Sequence, residues 1–281
     1  MIEPVLSGPG LAREIAETMV PPGGLAVWWL GQSGYVLKSR FGLLGVDLYL
    51  SEHLTRKYEA TDRPHVRMTR SAIRGDQLRG LDLLLASHRH SDHLDPGSAS
   101  DLLEASPGGV LLLPEAIRGY ALDLGLPDDR LVGVDVGPTF ERAGFRVRAI
   151  ASAHEGFDRD GSGRHPYLGF IIEVDGLRLY HSGDTMLYDG LAEALGGDRF
   201  DALFLPINGR DPARGVPGNM SAADAVDLSL MVLPRFVVPH HYDMFTFNTV
   251  PVGLFEAEAG RLPAGTSPLV LQCGERWELR P

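Results

Sequence analysis

Ser87-His88-Arg89-His90-Ser91-Asp92-His93-Leu94-Asp95 holds three of the chain's ten histidines and two carboxylates in one short segment. It follows directly on Leu81–Ala86, a continuous apolar run of the kind that forms a strand buried on both faces. Ligands of α/β sheets gather beyond the carboxyl ends of such strands. His88 and His90, two apart in extended backbone, point the same way and can share one cation. Asp92 and His93, at the turn into the next helix, can face a second. Neutral imidazole and carboxylate are ligands that zinc and manganese accept. A chance match to His-x-His-x-Asp-His in a chain of this composition arises about once in 1,000. The competing account is a solvated loop in which Asp92 or Asp95 caps a helix.

Three other strand ends supply further ligands. His154 ends the apolar run before Ala151-Ser152-Ala153-His154-Glu155-Gly156, Asp184 closes Tyr180-His181-Ser182-Gly183-Asp184, and His240-His241 closes Phe236-Val237-Val238-Pro239. One site is then His88, His90 and His154. The other is Asp92, His93 and one of His240 or His241, with Asp184 bridging because a carboxylate offers two oxygens. Metal-bound imidazoles pass their second N–H to an acceptor. Asp47, at the end of the strand over 43–48, is a candidate acceptor or else a turn residue opening the next loop.

Around this centre the pattern alternates. Strands are expected over 25–30, 35–39, 43–48, 81–86, 110–113, 131–134, 145–152, 167–174, 177–181, 202–206, 235–239 and 268–272. Helices are expected over 11–19, 96–105, 115–123, 186–195 and 221–232, and residues 51–80 read as irregular. Asp175-Gly176 is a hairpin turn. Strands and helices mixed throughout, with no compositional break, imply one layered α/β domain over 1–281.

The His88-x-His90-x-Asp92-His93 pattern, followed by a lone His, a Gly-Asp and a late His, resembles the metallo-β-lactamase superfamily. Ala26-Val27-Trp28-Trp29-Leu30-Gly31-Gln32-Ser33-Gly34, Tyr180-His181-Ser182-Gly183-Asp184 and Pro239-His240-His241 resemble its L-ascorbate-6-phosphate lactonase-like branch. The resemblance implies an αββα sandwich, two mixed sheets flanked by helices, and a two-metal hydrolase using zinc or manganese. It favours His241 as the late ligand, since related chains read Pro, one residue, then His; His240 then takes a supporting place beside the metals.

Water between two cations is acidified to hydroxide near neutral pH and would attack an electrophilic carbonyl or phosphorus. Asp92 is expected to orient that nucleophile, and His181 is a candidate proton donor to the leaving group. The substrate is expected to be a small anionic or phosphorylated metabolite, met by at least one of Arg159, Arg164, Arg210 and Arg214, whose planar fork suits phosphate. The alternative is a phosphodiesterase or RNA-processing nuclease. Against it stands the net charge of −11, from 37 acidic and 26 basic residues, which repels phosphate backbones. The single cysteine, Cys273, fits a reducing compartment. No signal-peptide pattern and no membrane-length apolar run is read, so the expectation is a cytoplasmic enzyme that binds neither nucleic acid nor membrane. A homo-oligomer is left open.

Overall fold

The computed structural model describes residues 1–197 and 199–280. Its strands are β1 Leu25–Trp29, β2 Tyr35–Lys38, β3 Leu43–Val46, β4 Leu83–Leu85, β5 Val110–Pro114, β6 Leu131–Val134, β7 Thr139–Arg142, β8 Phe145–Ala151, β9 Leu168–Val174, β10 Leu177–His181, β11 Ala202–Pro206, β12 Phe236–His240, β13 Ser267–Pro268 and β14 Arg276–Leu279. The helices are α1 Gly8–Glu17, α2 His53–Tyr58, α3 Ala99–Ala105, α4 Arg118–Asp123, α5 Leu191–Leu195, α6 Ala222–Val232 and α7 Gly253–Ala259.

Two seven-stranded sheets form, in the orders β14-β1-β2-β3-β4-β5-β6 and β13-β12-β11-β10-β9-β8-β7. Each is mixed. β3 to β6 run parallel, as do β10 to β13, while the remaining neighbours are antiparallel. Parallel neighbours need crossovers, and α2 to α7 each lie in one of them. The sheets pack face to face: the ring of Tyr35 on β2 lies 4.6 Å from that of Phe204 on β11. This is the two-sheet, helix-flanked α/β architecture expected from the sequence.

Every residue of β1, β4 and β11 is buried, which explains why these central strands read as unbroken apolar runs. The outer strands lack that signal. β7 is Thr-Phe-Glu-Arg and β14 is Arg-Trp-Glu-Leu, each half exposed at or near a sheet margin, and neither was expected. The strand expected over 268–272 shrinks to Ser267–Pro268, and the bonding to β12 ends where Leu269 N donates to Val237 O at 2.9 Å. The helix expected over 186–195 covers only its last turn, after Gly190 in the left-handed region. Residues 51–80, expected to be irregular, contain α2, and α7 was also unforeseen. Asp175 and Gly176 have φ of 50° and 88°, the pair of positive values that a two-residue hairpin turn requires.

Candidate metal centre

Five strands end on one rim. Asp47 follows β3, the His88–His93 loop follows β4, His154 follows β8, Asp184 follows β10 and His241 follows β12. The loops approach closely. A Cβ on Gly183, whose φ is 57°, would lie 2.6 Å from Cβ of Ser87, so only glycine lets Asp184 reach the histidine loop. Gln32, Asp47 and His241 also hold left-handed backbone, at φ 51°, 47° and 63°. Such conformations cost roughly 1–3 kcal/mol each and collect at functional sites.

The side chains form three overlapping groups: His88, His90 and His154; His88, His93 and Asp184; Asp92, His93 and His241. Nε2 of His88 lies 2.9 Å from Nδ1 of His90. Oδ1 of Asp184 is 3.3 Å from Nε2 of His93, and its Oδ2 is 3.3 Å from Nε2 of His241 and 3.9 Å from Nε2 of His154. Oδ2 of Asp92 stands 3.7 Å from Nε2 of His241 and 3.9 Å from Nε2 of His93.

The donor set can be tested for a cation. Asp47 is fully buried and places Oδ2 2.7 Å from Nδ1 of His93, while Ser87 donates to it through N and Oγ, each at 2.7 Å. An imidazole that gives its Nδ1 proton to Asp47 presents a bare lone pair at Nε2. That lone pair faces a carboxylate oxygen of Asp184, and neither atom has a hydrogen-bond partner. Two buried lone pairs at 3.3 Å require a positive charge between them, supplied by a proton or by a metal cation. Tetrahedral ligands of one zinc, each about 2.0–2.1 Å from it, lie about 3.3 Å apart, so the residues fit a divalent cation.

Electrostatics separate the imidazoles. Burial, aided by neighbouring histidines, holds His88 well below the ordinary imidazole range. Burial also brings His90 down to about 4 and lowers His154. All three therefore keep free lone pairs at neutral pH. His93 is different: burial opposes its protonation, but Asp184, Asp47 and Asp92 together outweigh burial and push it well above that range, so without a cation Nε2 carries a proton whose place a divalent cation would take. Asp184 is driven the other way: burial opposes its ionisation, yet His93 and His241 hold it well below the usual carboxylate range. His93 and Asp184 thus form the most polarised pair in the cluster.

A cavity of about 430 Å³ opens onto this cluster, with His90, Asp92, His154, Asp184 and His241 in its lining. Sequence reasoning missed several neighbours. Gln32 donates from Nε2 to Oδ2 of Asp92 at 2.7 Å, and its backbone O accepts from His241 N at 3.0 Å. The Tyr167 ring packs 5.2 Å from His88 and 5.3 Å from His154. Lys57 and Arg89, both exposed, stand at the cavity lining. The Gly-Gln-Ser-Gly turn was a signal for Gln32; nothing local marked Tyr167 or Lys57.

Three sequence expectations need correction. His181 is not placed to move a proton: its Nε2 lies 2.8 Å from the backbone O of Ser33, its Nδ1 accepts from Gly183 N at 3.2 Å, and it is absent from the cavity lining. With both nitrogens engaged by backbone, it braces the Asp184 loop. His240 lies on the other side of β12 from His241, stacked on His181 at 5.1 Å with Nδ1 3.0 Å from Oγ of Ser33. It makes no hydrogen bond to the candidate ligands among the described residues, because adjacent strand residues point to opposite faces. None of Arg159, Arg164, Arg210 and Arg214 lines the cavity. Arg159 donates to Gly163 O, Arg164 pairs with Asp160 and Glu115, Arg210 with Glu155, and Arg214 donates to Asn208 O beside Asp211. Acids and carbonyls nearby in sequence or space claim all four.

A sequence model of the beta-lactamase superfamily domain matches residues 60–242, well over half of the chain. The chain belongs to the beta-lactamase superfamily. Within that superfamily it is 25% identical over 307 residues to "Probable L-ascorbate-6-phosphate lactonase" of Salmonella heidelberg, covering 96% of this chain and 85% of the relative. The fold is similar to that of isothiocyanate hydrolase from Delia radicum gut bacteria (TM-score 0.70, 15% identity, 90% of this chain and 98% of the other). It is also similar to Igni18, a metallo hydrolase from the archaeon Ignicoccus hospitalis (TM-score 0.65, 19% identity, 91% and 98%). The chain is thus a hydrolase of the superfamily, with a His/Asp cluster suited to divalent metal. No helix among the described residues is long and apolar enough to cross a membrane.

The late ligand can be tested directly. Metal titration of His241→Ala is expected to show one weakened site, about tenfold or more, whereas His240→Ala leaves the titration close to that of the parent. The reverse order would move the ligand to His240.

Proposed function

We propose that the chain is a two-metal, lactonase-like hydrolase of a small anionic metabolite. The observation that supports this best is the buried pair formed by Nε2 of His93 and Oδ1 of Asp184, 3.3 Å apart and without a hydrogen-bond partner, joined by Asp92, His154 and His241 beside a cavity of about 430 Å³. Cavities of roughly 300–1,000 Å³ suit small ligands. His88, His90 and His154 would hold one cation, Asp92, His93 and His241 the other, and Asp184 both; zinc and manganese each accept this donor set. Bound there, divalent cations supply Lewis acidity that acidifies water and polarises a carbonyl or phosphoryl oxygen.

The chain's own residues do the rest. Asp47 fixes the His93 tautomer, and the backbone O of Gly218, 3.0 Å from Nδ1 of His154, turns Nε2 of that histidine toward the cluster. Gln32 holds Asp92 by one oxygen. Asp92 lines the cavity with 15% of its side chain exposed, so it reaches solvent and cluster together. In this reading Asp92 accepts the proton of the attacking water and returns it to the leaving alkoxide. Lys57 and Arg89 replace the four arginines as donors to the substrate's anion; neither has an ion-pair partner among the described residues.

Assaying the metal-replete protein on lactones and on bis-p-nitrophenyl phosphate tests the reading. Lactone hydrolysis that exceeds phosphodiester cleavage at least tenfold in kcat/KM is expected. The opposite preference would make the chain a phosphodiesterase.

A further inference from the structure

One wall of the cavity is aromatic, and the metal chemistry does not use it. Tyr58, at the end of α2, stacks on the imidazole of His65 at 4.2 Å and 18°. Phe247 meets the same imidazole edge-on at 4.5 Å, and Phe245 does so at 5.1 Å. Tyr58, His65 and Phe247 are only partly buried and line the cavity.

The wall has its own foundation. Tyr49, Leu54, Met244 and Phe245 form a small buried cluster separate from the main core, and Tyr58 and Phe247 pack against it. Backbone hydrogen bonds from Met68 N to Met244 O (2.7 Å) and from Thr246 N to Val66 O (3.0 Å) join the two segments. Thr55 Oγ1 donates to the backbone O of His65 at 2.9 Å and ties that residue's backbone to α2. Burial lowers the pKa of His65, so its ring is neutral at neutral pH. Lys57 lies 5.2 Å from the centre of the Tyr58 ring.

We propose that this wall is a subsite for a planar aromatic or conjugated group, so that the substrate is an amphipathic anion with a ring rather than a polyhydroxylated sugar acid. Offset stacking and edge contacts favour flat rings against such a surface. Hydroxyl groups laid there would lose water and find few polar partners on the rings, the Tyr58 phenol and Nε2 of His65, whose Nδ1 lies 3.2 Å from Arg63 O, which is a net cost. Lys57 and Arg89 at the same cavity would meet the anionic end. The inference rests on the reading of the cavity as a hydrolytic site.

The test compares γ-phenyl-γ-butyrolactone, γ-butyrolactone and D-glucono-δ-lactone on the metal-replete protein. The phenyl lactone is expected to exceed both others at least about tenfold in kcat/KM. Phe247→Ala and the milder Phe247→Leu and Tyr58→Leu should bring the ratio of phenyl to unsubstituted lactone close to one. Equal rates, a preference for the gluconolactone, or a ratio unmoved in all three variants would overturn the subsite. Binding of 2-naphthoate, read by its own fluorescence, decides the point without turnover. Binding at least tenfold weaker in the variants, with no lactone hydrolysed, would keep the subsite and sink the lactonase reading; binding unchanged would sink the subsite.

Discussion

Asp184→Ala is expected to lower kcat/KM by at least about a thousandfold, or ~4 kcal/mol, and to reduce metal content in both halves of the centre. Asp184 places one oxygen 3.3 Å from His93 and the other 3.3 Å from His241 and 3.9 Å from His154, so its loss takes a carboxylate from both proposed halves of the centre at once. His154→Ala removes a group from one half only and should cost less. Paired measurements of kcat/KM and bound metal on the two variants check the order. Near-normal turnover and metal content in Asp184→Ala would show that the carboxylate does not bridge.

The second large effect concerns a residue outside the cavity. Asp47→Asn is expected to weaken metal binding about 10–100-fold, the range found when a partner of a ligating histidine is altered. Asparagine tolerates the left-handed backbone at φ 47°, so the variant tests the charge rather than the fold. The carboxylate accepts from Ser87 twice and from His93; an amide can turn only one oxygen toward them. Without a full acceptor for its Nδ1 proton, His93 is no longer fixed with its Nε2 lone pair toward Asp184. Isothermal titration with zinc or manganese, with the thermal midpoint followed in parallel, separates lost affinity from lost fold. Unchanged affinity would mean that Asp47 only closes a turn.

Why some of this was legible in the sequence and some was not follows from how each feature is encoded. The His88–His93 loop stands out because no packing or turn requirement calls for three imidazoles and a carboxylate in six residues. The central strands stand out because burial on both faces leaves no polar position. His154, Asp184 and His241 could be grouped because each closes an apolar strand, and strands of one sheet end together. The cavity wall is different. It is assembled from α2, from residues near 65 and from residues 245–248, segments far apart in the chain whose proximity only the fold creates. The arginines misled for a related reason. A place in the loop after His154 or in the loop after the strand over 202–206 says nothing about side-chain direction, and Asp160, Glu155 and Asp211 lie within reach of three of them. His181 had a suitable residue type next to Asp184, but strand geometry turned it to the backbone of Ser33.

The central claim is that the lone pairs gathered by Asp184 exist to hold cations. Elemental analysis of the purified, fully active protein tests it most directly, with activity followed through removal of metal by a strong chelator and its return. The account predicts close to two divalent cations per chain, zinc or manganese, with activity lost on chelation and recovered when the same metal is restored. Full activity in a protein that carries no metal would contradict it.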